Sequence, residues 1–583
     1  MSPTTSPTTP RSTPARRPRA EIAELRARPT AEVVIIGGGI NGIATFRDLA
    51  LQGVDVVLVE RDDFVSGASA ASSHMIHGGI RYLENGEFRL VQESVQERNG
   101  LLRIAPHYVK PLRTTVPIFS TFSGILSAPL RFLTHRQGAP TERGAALIKA
   151  GLTIYDAFSR DGGSVPRHRF LGRKRSLAEL PALNPALKYT ATYYDASMHD
   201  PERLALDVLH DGLAAGPHAR AANHLEAVGF GPAGVRVRDG VTGDEFDLAA
   251  DVVVNTSGPW TDLTNAQLGR ETRFMGGTKG SHIVLDHPEL LEATGGREIF
   301  FEHEDGRIVL IYPLKGRVMV GTTDLEHDMR EPAVCTEEEV DYFFDLVAHV
   351  FPGIRVDRSQ IVYRFSGVRP LPRHDDTNPG FVSRDYRIER ADVAERPGTT
   401  LLSLVGGKWT TFRALAEHLA DEVLGLIGRT RVRSTRGLPI GGGAGYPTTD
   451  DARLVWIAGH GDGVGRERAE QLLERYGTRA AALIAAVEDG PETPLVGHDG
   501  YSREEIAWIT RHERVVHLAD VVFRRTSLAF TGALTPALLD ELADVVGREL
   551  GWDEGTHRAE VEATRRVLAE RHGVHLAEPS LVE

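Results

Sequence analysis

Three observations predict an α/β fold for this 583-residue chain. A short apolar strand, Glu32 to Ile36, runs into a glycine turn and a helix; apolar strands ending in glycine recur far downstream, at 251–258 and 401–407; and alternating segments such as 307–324 lie between these pieces. Together they describe a discontinuous Rossmann-type domain interleaved with a β-sheet substrate domain. Periodic apolar segments after residue 448 add a small α-helical domain at the C-terminal end.

Taken in order, the first thirty residues are rich in Pro, Ser, Thr and Arg and contain no apolar stretch of a signal peptide, so they read as a disordered tail. The EVVII strand is followed by Gly37-Gly38-Gly39-Ile40-Asn41-Gly42, in which Gly37, Gly39 and Gly42 have the G-x-G-x-x-G spacing, and a helix is expected from about Asn41 to Leu51. That geometry aims backbone N–H groups and a helix N-terminus at a pyrophosphate. A second strand, Val54 to Val59, ends in Glu60, about twenty residues past the turn, where a carboxylate accepts hydrogen bonds from an adenosine ribose. The order of these parts predicts a dinucleotide site without choosing between NAD and FAD. Gly441 to Gly445 is equally glycine-rich but lacks that frame and has Pro447 behind it, so it reads as a linker.

Composition narrows the partners. A net charge of −13 argues against a broad basic face for nucleic acid while leaving room for a local anion pocket. The single cysteine, Cys335, rules out an intramolecular disulfide framework and a multi-cysteine metal cluster and fits a reducing compartment. No run of eighteen apolar residues occurs, so no membrane-spanning helix is expected.

Between the glycine turns, 307–324 reads as a β-hairpin turning near Lys315-Gly316, and with the flanks of Phe365-Ser366 it is expected to form a sheet over the cofactor. In the C-terminal part, Glu505 to His512, Val515 to Arg525 and Leu538 to Leu550 have helical periodicity. The expected division is a tail at 1–30, an oxidoreductase region at 31–428, a linker at 429–448 and a helical domain at 449–583. Cofactor-binding pieces are expected at about 31–110, 200–262 and 360–428.

Several stretches go beyond these patterns: ASSHMIHGGIRYLE (71–84), VVNTSGPW (253–260), KGSHIV (279–284), GTTD (321–324), SGVRPL (366–371), SRDY (383–386) and GGKWTTFRALAEH (406–418). In order and spacing they resemble the FAD-dependent glycerol-3-phosphate dehydrogenases, from about residue 31 onward. The resemblance implies FAD as cofactor. It implies that Ser72 and Ser73 donate to the FAD phosphates or ribitol, and that His77, Gly78 and Gly79 approach the isoalloxazine. Ser257 and Gly258, with Gly406, Gly407, Lys408 and Thr410, are implied to pass close to the cofactor. A helix starting near Thr410 would place its positive end at the pyrimidine edge of the flavin.

For the substrate the resemblance implies sn-glycerol 3-phosphate, bound by Arg81, Tyr82, Arg369, Arg384 and Lys408. A phosphate requires such a cation cluster, with arginine binding bidentately and lysine as a point charge. The implied chemistry is hydride transfer from C2 to flavin N5, giving dihydroxyacetone phosphate. His282 is the choice for the general base, with Arg369 and Lys408 as electrostatic stabilisers. Thr323 and Asp324 read equally well as a turn cap. The chain departs from the family pattern at Ala44, Phe46 and Gln52, where helix packing is affected. It departs also at His74, where a lysine is common, and at Phe412, in place of a tyrosine.

The implied electron acceptor is a membrane quinone, with an oxidase passing electrons to dioxygen and forming hydrogen peroxide as the alternative. Ile118 to Leu133 and Ala145 to Phe158 are candidates for a surface lying on the membrane, with internal packing as ordinary helices or an oligomer contact, such as a homodimer, the slightly favoured reading. The expected location is cytoplasmic, peripheral on the cytoplasmic face of the cell membrane. Two other readings stand beside this one: an amino-acid-oxidising flavoprotein, disfavoured by the number of cations, and an inactive flavin-binding sensor or scaffold, disfavoured by retention of Arg81, Arg369 and Lys408.

Overall fold

A computed structural model describes residues 19–79, 88–119, 148–149, 152–153, 156, 166–302, 308–373, 385–393, 396–487 and 492–576. Among the described residues, two large sheets organise the chain. The first has six strands in the order Arg387–Asp392, Thr400–Val405, Val252–Asn255, Val33–Ile36, Val56–Val59 and Ala219–Ala222. All neighbours are parallel except the edge strand Arg387–Asp392. Strands covered on both faces must be apolar throughout, and the central ones read VVII, VVLV and VVVN.

Successive side chains of a strand point to opposite faces, and here the two faces have different covers. Val33 and Ile35 join the core beneath the helices Ile40–Leu51, Pro201–Leu213 and Phe412–Leu426, whereas Val34 and Ile36 face a second core built around the small sheet of Leu225–Phe230, Val235–Asp239 and Glu245–Leu248. Phe46 is accommodated by a long-range exchange of volume. A Cβ at Gly212 would lie 2.8 Å from the Phe46 ring, so the bulk added on one helix is matched by its absence on the next.

The second sheet contains ten strands. Its centre holds Ile308–Leu314 and Arg317–Gly321, paired as a hairpin with Leu314 opposite Arg317. Lys315 and Gly316 have φ of 51° and 73°, as a two-residue turn with two left-handed positions demands. Met275–Leu285 pairs with Arg317–Gly321 on one side and with the long strand Ile361–Pro372 on the other.

The C-terminal part is helical, with Asp450–His460, Arg466–Tyr476, Ala480–Val487, Arg503–His512, Pro536–Leu550 and Glu554–His572. The helix expected from Val515 to Arg525 starts later, as Leu518–Asp520, and continues in a wider π turn over Val521–Arg525. The Asp520 carboxylate accepts the N–H groups of Val516 and His517, each at 2.9 Å, which stops the helix from extending upstream.

Residues 429–440 are bonded to the helix Ile40–Leu51 rather than hanging between domains. Arg431 pairs with Asp48 at 2.8 Å, Arg47 donates to the Pro439 carbonyl at 2.6 Å, and Gln52 accepts from Val432 N at 2.9 Å. The glycine-rich segment that follows is a short 3-10 turn at Gly441–Gly443, where backbone meets backbone: a Cβ at Gly442 would fall on the carbonyl oxygen of Tyr476.

Candidate active site

The first glycine turn sits at the carboxyl end of the central strand, with Gly39 capping Ile40–Leu51. Gly37 has φ of 108°, and a Cβ at Gly42 would fall on the Gly37 carbonyl oxygen, so both positions accept only glycine. Glu60 accepts from Gly38 N at 2.6 Å through one carboxylate oxygen and from Asp62 N at 2.8 Å through the other. Each oxygen keeps a lone pair for a ribose hydroxyl. Burial and the neighbouring Asp62 push its pKa up, and the two backbone donors oppose the shift.

Ser257 donates to Asn255 Oδ1 at 2.6 Å and starts the tight turn Gly258–Trp260. Gly37, Gly39, Asn41, Glu60, Ser66, Ala71, Ser257 and Gly258 all line one cavity of about 1000 Å³. A cavity of that size at the carboxyl edge of a parallel sheet fits an extended dinucleotide.

The second glycine turn closes on the first. Gly407 has φ of 109°, and a Cβ there would lie 2.6 Å from Nδ2 of Asn41, whose Oδ1 is buried without a partner. Trp409 Nε1 donates to the Ser69 carbonyl at 3.0 Å and Thr410 Oγ1 to the His77 carbonyl at 3.2 Å. Gly78 N donates to Asp195 Oδ1 at 2.9 Å, and Gly79 takes φ of 76°. Lys408 follows Gly407 as the N-cap of the short 3-10 turn Trp409–Thr411 and donates to Ser94 Oγ at 2.7 Å, with the carboxylate of Glu93 in its field. Gly406, Gly407 and Thr410 are thereby brought to the same edge as Gly37 and Asn41, across more than 360 residues of sequence. The orphaned Asn41 oxygen and the glycine-lined cavity fit FAD.

The substrate side is built on the pair Met275–Leu285 and Ile361–Pro372. In this antiparallel register Thr278 faces Arg369, Gly280 faces Gly367 and His282 faces Phe365, so His282 and Arg369 project from one face. Two glycines seat them: a Cβ at Gly280 would strike the Arg369 guanidinium, and one at Gly321 would strike the His282 ring. Phe365 stacks on His282 with ring centres 4.7 Å apart and planes 8° from parallel. Ser73 Oγ and His282 Nε2 share a hydrogen bond of 2.8 Å, while Nδ1 is buried without a partner. Burial, the Arg369 cation and His74 push the His282 pKa down to about 3, so the ring is neutral at pH 7.

Arg369 donates to Thr322 Oγ1 at 3.0 Å and forms an ion pair with Asp324. The GTTD loop therefore holds the arginine. That loop is held in turn by Glu339, a residue the sequence reading passed over. Its carboxylate accepts from Thr323 Oγ1 at 2.6 Å, Lys279 Nζ at 2.8 Å and Thr336 N at 2.9 Å. Thr323 Oγ1 also accepts from Ser281 N at 3.0 Å, beside His282. The spacing Thr336-x-x-Glu339 is legible as a capping box for Glu337–Val350, but its reach to Lys279 is not. Glu339→Gln is expected to lower kcat/KM about tenfold and leave the FAD content unchanged, since an amide can accept only part of this network. Steady-state kinetics against flavin absorbance would check it.

Ser72 accepts from His74 N at 3.3 Å. His74 replaces the common lysine with a neutral group: its Nδ1 lies 3.1 Å from the Met198 carbonyl, and burial lowers its pKa to about 4. Phe412 is buried edge-on to Trp409, with no hydroxyl to place. Arg81, Tyr82 and Arg384 lie outside the described residues.

A parallel sheet with two glycine turns meeting at Asn41, the first of them lining a large cavity, beside a second sheet that carries an imidazole and an arginine, defines a dinucleotide-dependent oxidoreductase. Residues 32–422 match the family described as FAD dependent oxidoreductase, and residues 398–557 match the C-terminal domain of alpha-glycerophosphate oxidase. A glycerol-3-phosphate dehydrogenase of Synechocystis sp. is 32% identical over 520 residues, covering 85% of this chain and 89% of the relative. A D-erythritol 1-phosphate dehydrogenase of Brucella abortus is 31% identical over 521 residues, covering 85% and 94%. The fold is shared with the FAD complex of a Bacillus halodurans glycerol-3-phosphate dehydrogenase, at a TM-score of 0.71 and 21% identity, covering 94% and 97% of the two chains. The chain belongs to the FAD-dependent glycerol-3-phosphate dehydrogenase family, and it is an enzyme with FAD as its cofactor.

Proposed function

We propose that the enzyme oxidises the secondary alcohol at C2 of sn-glycerol 3-phosphate to the ketone of dihydroxyacetone phosphate. The observation that carries this reading is the common face of His282 and Arg369, one neutral proton acceptor and one fixed cation seated by Gly280 and Gly321. FAD, when bound, supplies the two-electron acceptor for the hydride leaving C2.

The chain supplies the rest. His282 takes the hydroxyl proton, and the Ser73 hydroxyl on its Nε2 marks the place that a substrate hydroxyl would occupy. Arg369 binds the phosphate or steadies the forming alkoxide. Phosphate at Arg369 would also offset the cation that lowers the His282 pKa, making the imidazole a stronger base once substrate is in place.

The proposed acceptor is a membrane quinone. The sequence has one cysteine and so no cysteine cluster to relay electrons within the chain, and burial pushes the Cys335 thiol up to about 12. Anaerobic addition of sn-glycerol 3-phosphate should bleach the oxidised flavin band, and a soluble quinone should restore it faster than air. Fast recovery in air with peroxide formed would make the enzyme an oxidase; bleaching only by D-erythritol 1-phosphate would move the substrate to a longer polyol phosphate.

The proposed location is the cytoplasmic face of the cell membrane, held peripherally. No helix among the described residues is long and apolar enough to cross a bilayer. Ile118 itself is buried at the end of the strand Val109–Ile118, so the proposed contact is the rest of this apolar stretch up to Leu133, which from residue 120 lies outside the described residues. Charging Phe122 and Ile125 should release the protein from washed membranes; unchanged binding would remove this stretch from consideration.

A further inference from the structure

The adenosine end of the cavity has a wall contributed by the C-terminal domain. Glu60 closes the strand Val56–Val59, and the loop behind it is held by residues more than 450 positions away. Asp63 is fully buried, and its carboxylate receives Arg525 Nη2 at 2.9 Å, with further contacts from Arg525 Nη1 and Arg524 Nε. Asn223 Nδ2 donates both to Asp63 at 2.7 Å and to the Arg514 carbonyl at 2.9 Å. Arg524 Nη2 reaches Asp520 at 3.0 Å, and His224 Nε2 lies 3.2 Å from each Asp520 oxygen.

The neighbouring backbone ties these contacts to the ribose carboxylate. His224 N donates to the Asp62 carbonyl, and Leu225 N to the Glu60 carbonyl, both at 2.7 Å. Glu60, Asp63, His224, Asp520 and Arg524 line the same cavity as Gly37 and Ser257.

Asp63, His224 and Asp520 bring ligand atoms within 4.8 Å of one another, a spacing that suits a divalent metal. Here guanidinium groups already lie against both carboxylates, so a metal would have to displace them and leave two arginines, Arg524 at 14% side-chain exposure and Arg525 at 0%, without their partners. The cluster is an ionic clasp, not a metal centre.

We propose that this clasp makes the C-terminal domain a retaining wall for the adenosine half of FAD, with Asp63, Asp520 and Arg524 as positioning residues that set how slowly the cofactor leaves. The wall cannot swing away without separating buried, charge-assisted hydrogen bonds, and each such separation strands a charge in a poorly hydrated site. Linkage makes the effect reciprocal: FAD in the groove holds the C-terminal domain closed to the extent that the closed domain holds FAD.

Two measurements test this. In the wild-type protein, amide exchange across 513–526 should slow about tenfold or more when FAD is added to the apoprotein. In the purified holoenzyme, Arg524→Gln should release FAD about tenfold faster, read from the fluorescence of freed flavin, with Arg524→Lys between it and wild type and a chelator without effect. Arg524 is the choice because Asp63→Asn would strand two guanidinium groups and endanger folding. Glu541→Gln, in the same domain but bonded to Val496 N and Arg503, should lower Tm without changing the release rate. A folded Arg524→Gln protein with wild-type FAD release, exchange at 513–526 indifferent to FAD, or faster release on chelation would each overturn the clasp.

Discussion

Arg369→Met is expected to lower kcat/KM for sn-glycerol 3-phosphate by about two to three orders of magnitude. Removing one partner of a desolvated, hydrogen-bonded charge pair typically costs about 2–5 kcal/mol, roughly 30- to several-thousand-fold. The substitution also leaves Asp324 without its cation, so the site loses a positive charge and keeps an unpaired negative one beside an anionic substrate. The split of the loss between constants reports the role. A rise in KM at steady kcat means that Arg369 binds the phosphate equally in ground and transition states, whereas a fall in kcat means that it acts on the alkoxide. Arg369→Lys should recover part of the activity, because an ammonium restores charge but not the two-pronged fit. A methionine variant with wild-type kcat/KM would remove Arg369 from the site.

What was legible in the sequence follows from the range of the forces involved. The glycine turn at 37–42 and the Lys315-Gly316 hairpin are dictated by backbone sterics over a few residues, and local spacing is enough to read them. The joint face of His282 and Arg369 depends on the register of two strands some ninety residues apart; resemblance supplied the residues, and the register shows how they meet. The contacts the sequence reading missed are long-range compensations. Phe46 is an anomaly on its own helix and an ordinary core residue once Gly212 is opposite it. Glu339 reads as a helix cap, and only packing of its helix on Met275–Leu285 turns it toward Lys279 and Thr323. Asp63 and Arg525 carry no motif at all, since a buried ion pair across 462 residues leaves no periodic trace in the sequence.

His282→Asn is expected to slow flavin bleaching by about 10²- to 10⁴-fold, the usual contribution of a positioned general base, while FAD content stays near wild type. An asparagine keeps a polar group beside Ser73 but has no lone pair basic enough to take the substrate proton. The pH dependence separates loss of the base from loss of shape. With the wild-type pKa near 3, and raised only in part when phosphate offsets Arg369, the imidazole is already deprotonated above pH 7, and its bleaching rate should be flat from pH 7 to 9. In the variant, hydroxide must remove the proton, so the residual rate should climb by nearly tenfold per pH unit across the same window. Stability should move in the other direction. Because His282 titrates lower in the folded chain than its ordinary value of about 6.5, the unfolded chain binds the proton first, and the histidine reduces stability as pH falls from about 6.5 toward 3. The asparagine variant lacks that group, so its Tm should decline less steeply than wild type over this acid range. Stopped-flow bleaching and thermal melts on the same preparations would decide both points. A variant that bleaches within threefold of wild type, or one whose slow rate is flat with pH, would show that the proton leaves by another route.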